Sequence, residues 1–454
     1  MSILAFVAGV LFMALGVAAS IALHEVGHLV PAKRFGVRVT QYMVGFGPTV
    51  WSRRRGETEY GIKAIPFGGY IRMIGMFPPR KGQDPGTVRV SSTGRLSQLV
   101  DEARAASLEE VRPGDEDRVF YRLSVPRKLV VMLGGPVMNL LIGVVLLTIV
   151  VTVHGLATAQ PGAEVATVST CVAPVTEAAT TTSCEGLPPT PALEAGLRPG
   201  DRFVSIAGQP VDETSDVGAI VRPRIGEAID VVVVRDGEQL TLTATPIRNV
   251  VPVLDADGLP VVREDGTFAT TEAGFLGVRS APPTAYVQQP VSAVPGIIWT
   301  YVSRTAEALV HIPERMVGVW HAAFGDAERE IDSPMSVVGV GRVAGEVGAG
   351  KYDFLVGDGA ADKFWTLVSL LAGLNFMLFV FNLIPLLPLD GGHVAGALWE
   401  GLKRRLARLL GRPDPGYVDV AKALPVAYTV SVVLLGASLL LIYADLVKPV
   451  NLGG

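Results

Sequence analysis

Two histidines four residues apart, with a glutamate beside the first, carry the most specific chemistry in this 454-residue chain: His24-Glu25-Val26-Gly27-His28. On a helix, residues four apart share a face. Both imidazoles can then grip one metal ion, with Glu25 placed to take a proton from a metal-activated water. A catalytic zinc site uses three protein ligands and keeps one position for water or substrate. The third ligand is expected from another polar residue within an apolar segment, and Asn382-Leu-Ile-Pro-Leu-Leu-Pro-Leu-Asp390-Gly391-Gly392-His393 supplies one. Pro385 and Pro388 break the helix, which puts Asp390 on irregular backbone that a bilayer tolerates only where it lines protein or a water-filled cavity. Gly391 and Gly392 let the chain turn and pack closely. The plainer readings are a helix end whose polar residues reach interfacial water, and an ordinary loop. Against them, an ionisable residue inside an apolar segment costs about 2.5–3.5 kcal/mol on insertion scales and usually has a function.

These residues must be positioned by membrane spans. The chain is 49% hydrophobic and 18% charged, against roughly 25% charged in an average globular chain. With a net charge of −4, this excludes a fully soluble protein, a disordered one, and a nucleic-acid binder driven by positive charge; no nucleic-acid partner is expected. Two cysteines exclude a disulfide scaffold or a Cys-rich cluster. A span needs about 20 apolar residues, and four stretches qualify: 2–23, 129–153, 364–389 and 423–444. No Lys or Arg precedes the first, so it is not read as a secretory signal. Residues 32–128 hold 18 Lys+Arg against 10 Asp+Glu, residues 391–422 hold 6 against 3, and residues 156–363 hold 14 against 27. Positive flanks stay cytoplasmic, so both termini and the long acidic loop are expected outside, with the metal site toward the cytoplasmic side of an inner membrane.

The pairing of HEVGH with NLIPLLPLDGGH resembles the site-2 protease family of intramembrane zinc metalloproteases, and the resemblance extends over nearly the whole chain. It implies that His24, His28 and Asp390 bind zinc and that Glu25 is the general base. Asn382 would stabilise the oxyanion or hold the substrate backbone. Asn375, two helical turns earlier on the same face, is a candidate for the same duty, with an interhelical hydrogen bond as the alternative. His393 is read as an outer or interfacial group. Gly134-Gly135-Pro136-Val137-Met138-Asn139 resembles the family's Gly-Pro-x-x-Asn signature, read here as close helix packing. Residues 58–76 alternate and turn like a β-hairpin around 66–69. In the resembling family this segment is a membrane-reentrant hairpin that pairs with substrate, which makes Ile65, Phe67, Tyr70 and Ile71 candidates for substrate contact. The implied substrates are single-pass membrane proteins of the anti-sigma-factor kind, trimmed outside by an upstream site-1 protease.

The expected fold class is thus a polytopic α-helical membrane protein with four transmembrane helices, a membrane-associated β-hairpin and an extracytoplasmic PDZ domain of mixed α/β structure. The spans are placed at 1–32, 128–155, 364–393 and 423–447. Cytoplasmic loops occupy 33–127, polar from 77 onward with a short amphipathic helix near 96–111, and 394–422. The PDZ domain is placed over 156–282, on the resemblance of Ala192-Leu-Glu-Ala-Gly196-Leu197-Arg198-Pro199-Gly200-Asp201-Arg202-Phe203 to the helix–turn–strand signature of bacterial PDZ domains, which bind peptide ends by strand addition. Strands are expected at 230–235, 240–245 and 275–278, with an inserted hairpin after 250. Residues 283–363 carry interfacial helix around 297–319, and 448–454 form a tail. Cys171 and Cys184 lie in the external loop, where a disulfide can persist; a pair of free thiols is the other possibility. Two competing functions remain: a membrane-anchored zincin with a cytoplasmic active site, and a non-catalytic PDZ-bearing scaffold with a structural metal, against which Glu25 argues because a structural site needs no base.

Overall fold

Apolar stretches and their breakers set the helices of the larger unit. The computed structural model describes residues 3–79, 107, 111–172, 184, 186–253, 261, 263, 269–325, 328–357 and 359–450; most of the expected helix near 96–111 lies outside them. The larger unit comprises Met1–Val153 and Pro290–Gly454. In chain order it carries α1 (Ile3–Arg34), β1 (Val39–Arg55), β2 (Thr58–Met73), α2 (Val125–Ile149), α3 (Val294–Val310), α4 (Ile312–Phe324), α5 (Val337–Gly348), α6 (Ala360–Asn382), α7 (Asp390–Leu409) and α8 (Leu424–Val447). Four helices are long and apolar enough to cross a membrane: α1, α2 extended to His154, α6, and α8 with its lead-in from Val420. Pro126 and Pro425 sit in the first turns of α2 and α8, where a missing N–H costs nothing.

Glycines let α1 approach its neighbours. A methyl group on Gly27 would lie 2.2 Å from the Gly134 carbonyl oxygen, and one on Gly9 2.3 Å from that of Ala344. The α1–α2 and α1–α5 crossings therefore bring backbone against backbone, as small residues permit in membranes. Around the α1–α5 crossing, Met13, Val343, Ala344, Val347, Tyr352, Leu367 and Leu371 form one buried cluster.

The third span is shorter than expected. It ends at Asn382 instead of running to 393, and Asp390 heads a new helix rather than sitting on irregular backbone. The break over 383–389 folds against Gly391 and Gly392, whose added side chains would lie 2.2 Å from the Ile384 carbonyl oxygen and 2.6 Å from the Leu387 nitrogen. The expected loop 394–422 is largely α7. A buried ion pair, Lys128 Nζ to Glu400 Oε2 at 2.8 Å, holds α7 to α2, and the Val418 amide donates to the same oxygen. The helix expected over 297–319 is divided into α3 and α4 at His311, because Pro313 cannot donate into the preceding turn.

The hairpin also differs from expectation. Its turn lies between Arg55 and Thr58, not at 66–69, and its first strand is β1. Gln41, Tyr42, Met43 and Val44 each have two partners, one within 59–62 and one within 69–72, while 49–55 pairs with 58–63. The ribbon therefore doubles into a sheet four segments wide, ordered 69–73, 39–46, 58–63, 49–55. Residues 66–69 mark the bend where β2 changes partners. Val50, Trp51, Ile62 and Ile65 stay exposed at its far end. Its base is tied by Arg118 to Glu57 at 2.7 Å; that bond holds the Glu57 carboxyl below its usual range.

The second unit, His154–Gln289, has its own core of Val165, Phe203, Ile206, Ile220, Val231 and neighbouring side chains. Its main sheet runs in the order Val278–Ala281, Glu164–Val168, Arg202–Ile206, Ile229–Arg235, Glu238–Ala244, with helices at Pro191–Glu194 and Thr214–Val221. Ile247–Pro252 pairs with Thr270–Phe275, an added ribbon where a hairpin was expected. The expected strand over 275–278 is instead a junction: Gly277, at φ +87°, lies between two strands. Cys171 and Cys184 are joined in a disulfide.

Losing Lys128 leaves the buried Glu400 carboxylate with only Arg404, 3.2 Å from its other oxygen, and the Val418 amide. Lys128→Met should lower unfolding free energy in detergent by up to about 3 kcal/mol, less than for a charge left wholly uncompensated. Lys128→Met/Glu400→Gln, which keeps an acceptor for Val418, should recover most of it; equal loss in both would show that the pair is not what fixes α7.

Candidate metal centre

Helix periodicity brings His24 and His28 to one face of α1, and the start of α7 brings Asp390 to meet them. His28 Nε2 lies 3.2 Å from His24 Nε2 and 3.2 Å from Asp390 Oδ2, and His24 Nε2 lies 3.3 Å from the same oxygen. Four-coordinate zinc with ligands at roughly 2.0–2.1 Å has tetrahedral edges of roughly 3.3 Å, so the three separations match one face of such a site. Among the described residues this is the group of three whose ligand atoms converge to hold a metal.

The hydrogen bonding points the same way. His28 Nδ1 lies 2.7 Å from the buried Val131 carbonyl oxygen. An N–H donated there leaves Nε2 with its lone pair toward the cluster, the tautomer a ligand needs. Asp390 Oδ2 is buried with no hydrogen-bond donor. With His24 Nε2 and His28 Nε2 both turned toward it, a buried carboxylate oxygen at this point suits a cation lying among the three atoms. Two imidazole nitrogens and one carboxylate oxygen form a donor set that suits zinc, with a fourth position open.

The wall opposite is backbone. A methyl group on Gly135 would come within 2.2 Å of His28 Nε2 and 2.6 Å of His24 Nε2. The Gly134-Gly135 pair therefore serves the close packing expected of it and keeps the metal position clear. Glu25 is buried, and its charge interacts with His24, His28 and Asp390. Gly69 in the edge segment of the sheet packs on it, where a side chain would lie 2.9 Å from Glu25 Cγ, and the Ile71 backbone reaches its carboxylate. Tyr42 anchors the sheet to α1 through a 2.8 Å bond to the Ala22 carbonyl oxygen.

Other candidate residues lie around this centre. Asn382, half-buried at the end of α6, donates to the Leu378 carbonyl oxygen at 3.0 Å. Asn375 is fully buried and donates to Ser20 Oγ at 3.0 Å and to Leu371 O, the interhelical bond that was the alternative to substrate contact. Asn139 is buried. His393 follows Asp390 by one helical turn, outside the converging atoms. Tyr70 stacks on Phe46 with ring centroids 6.3 Å apart. Ile71 is half-buried and Ile65 exposed; the Phe67 side chain lies outside the described ones. Sequence reasoning missed three contributors: the Val131 carbonyl, which no side-chain pattern could signal; β1, whose Val39-Thr40-Gln41-Tyr42-Met43-Val44 run has strand-forming residues; and Glu400, detectable as the one acid in the basic stretch 391–413.

A family model described as Peptidase family M50 matches residues 12–411. The chain is 34% identical over 451 residues to zinc metalloprotease Rip1 of Mycobacterium tuberculosis, covering 98% of this chain and 99% of that one. It is 32% identical over 455 residues to zinc metalloprotease Rip1 of Mycolicibacterium smegmatis, covering 98% of each, and 25% identical over 402 residues to metalloprotease MmpA of Caulobacter vibrioides, covering 86% of this chain and 85% of the relative.

Zinc retention tests this geometry without reference to activity. Purified wild type should carry one zinc per chain, and both Asp390→Asn and Gly135→Ala should lose it to a chelator at least about tenfold more readily. Gly436→Ala, with nothing within 4 Å of the added methyl, should behave as wild type.

Proposed function

Since this chain belongs to peptidase family M50, the site-2 protease family, we propose that it hydrolyses a peptide bond within the transmembrane segment of single-pass membrane proteins. It is a zinc metalloendopeptidase and a membrane protein. His24, His28 and Asp390 hold the zinc, which when bound polarises a carbonyl and acidifies water. Glu25 accepts the proton of the attacking water and delivers it to the leaving amine. Asn382 Nδ2 turns from its own helix carbonyl to the developing oxyanion. Asn375 acts as a positioning residue, holding α6 to α1 through Ser20. The observation that carries this reading is the set of three ligand atoms, at tetrahedral-edge separations, formed where two apolar helices and the start of α7 meet.

A transmembrane substrate hides its carbonyls in helical hydrogen bonds, so it must be unwound before cleavage. The 69–73 segment is an outer edge of the sheet beside Glu25. An unwound substrate adding to that edge would have its backbone groups satisfied in a medium without water, with Ile65, Phe67, Tyr70 and Ile71 meeting its side chains. The charge bias puts both termini and residues 156–282 outside an inner membrane, with the site near the cytoplasmic face. There residues 156–282 serve as a PDZ domain that takes peptide ends and turns away substrates with bulky external parts, and 283–363 lies along the outer leaflet. Anti-sigma factors already cut by an external protease fit this scheme.

Co-reconstitution in proteoliposomes tests the reading, using a tagged single-span reporter in two forms, with and without a folded external domain. The trimmed form should be cut inside its apolar segment, as located by mass spectrometry, and a zinc chelator should stop the cut. Cleavage only in a soluble flank would favour the anchored zincin. No cleavage of any span by zinc-loaded protein would favour the scaffold.

A further inference from the structure

Helix α7 does more than present Asp390. At about 100° per residue, Leu398, Leu409, Leu402, Leu406 and Trp399 fall on one arc of about 100°. All five are between 47% and 74% exposed. Lys403 borders this stripe on one side, and Arg405 and Arg408 on the other; all three are exposed. Residues 401–412 hold five basic residues and no acidic one. The opposite face is occupied: Ala397 and Glu400 are buried, and Arg404 lies against Glu400 at 3.2 Å.

The depth of the stripe follows from contacts with α2. Glu400 bonds to Lys128, and an added side chain on Gly401 would meet Val125, the first residue of α2, at 3.2 Å. These contacts put Glu400 and Gly401 at the level where α2 enters the apolar layer, which is headgroup depth, and the stripe continues directly from there. Lys403 Nζ lies 5.2 Å from the centre of the Trp399 ring, an aromatic and a cation paired as at a membrane–water boundary. An apolar stripe with cationic edges at that depth matches a surface with acyl chains below and negative headgroups above.

We propose that the exposed stripe of α7 docks on an anionic lipid surface, with Leu402, Leu406 and Leu409 in the acyl boundary and Lys403, Arg405 and Arg408 on negatively charged headgroups. Because α7 begins at Asp390, the leaflet then braces the same helix that Lys128–Glu400 braces from the protein side. The inference rests on the membrane-spanning reading of α1, α2, α6 and α8, and not on any catalytic role.

Its test uses the full chain in nanodiscs with and without phosphatidylglycerol. Cys171 and Cys184 are bonded to each other, so Leu406→Cys gives one thiol for a spin label; Leu439→Cys, on the exposed face of α8, is the span control. The label at 406 should collide with dissolved oxygen in preference to a water-soluble nickel chelate when phosphatidylglycerol is present. Enrichment of that lipid around the protein should fall toward its bulk proportion in Lys403→Gln/Arg405→Gln/Arg408→Gln, because each cation removed takes away attraction for negative headgroups. A label at 406 that reads water, or is shielded from both reagents as a protein partner or second copy would shield it, overturns the proposal. So does unchanged enrichment in the triple variant. If the label at 439 also reads water, the spanning reading falls with it.

Discussion

Three atoms of ligand type held at 3.2–3.3 Å from one another, away from bulk water, constrain the rest of this molecule. His24, His28 and Asp390 come from two helices far apart in sequence, and these atoms converge on one point. Without a cation there, the arrangement concentrates polar atoms in a low-dielectric setting, where an unsatisfied one is costly. With one, the same atoms form an open three-ligand site. Much of the larger unit acts to keep those atoms in register.

Helix α2 is the common brace, although it contributes no ligand. Its Gly134 backbone abuts Gly27, its Gly135 leaves room for both imidazoles, its Val131 carbonyl orients His28, and its Lys128 pairs with Glu400 on the helix that begins at Asp390. Four contacts on about two turns of one helix thus fix both ligand-bearing elements. A side chain in place of Gly135 would displace ligands directly, whereas loss of the ion pair would act only through the placement of α7. The sheet completes the surroundings from the other side, since Gly69 packs on Glu25 and brings a strand edge beside the carboxylate.

The centre was legible in the sequence because metal ligation demands particular residue types at particular spacings. His24, Glu25 and His28 are local, and Asp390 stands out as an ionisable group within an apolar run. The four spans were legible because the length of an apolar stretch is a one-dimensional property. What failed was pairing and phase. Pro66, Gly68 and Gly69 do mark a bend, yet a bend in a strand that changes partners resembles a turn between two strands until the partner, β1, is known. Helix α7 was hidden by its own amphipathicity: basic residues read as a loop, while its apolar stripe is too short and interrupted for a span. The pairing of Cys171 with Cys184, and the choice of Ser20 as partner for Asn375, depend on contacts that spacing alone does not determine.

The central claim is that Glu25 is a base beside a bound zinc rather than a ligand to it. The direct measurement compares purified wild type with Glu25→Gln in detergent, on a fluorescent single-span substrate, with zinc quantified in both. The account predicts that only wild type cleaves and that the variant keeps its zinc, since His24, His28 and Asp390 are untouched. Retained cleavage by the variant, or loss of its zinc together with its activity, would contradict it.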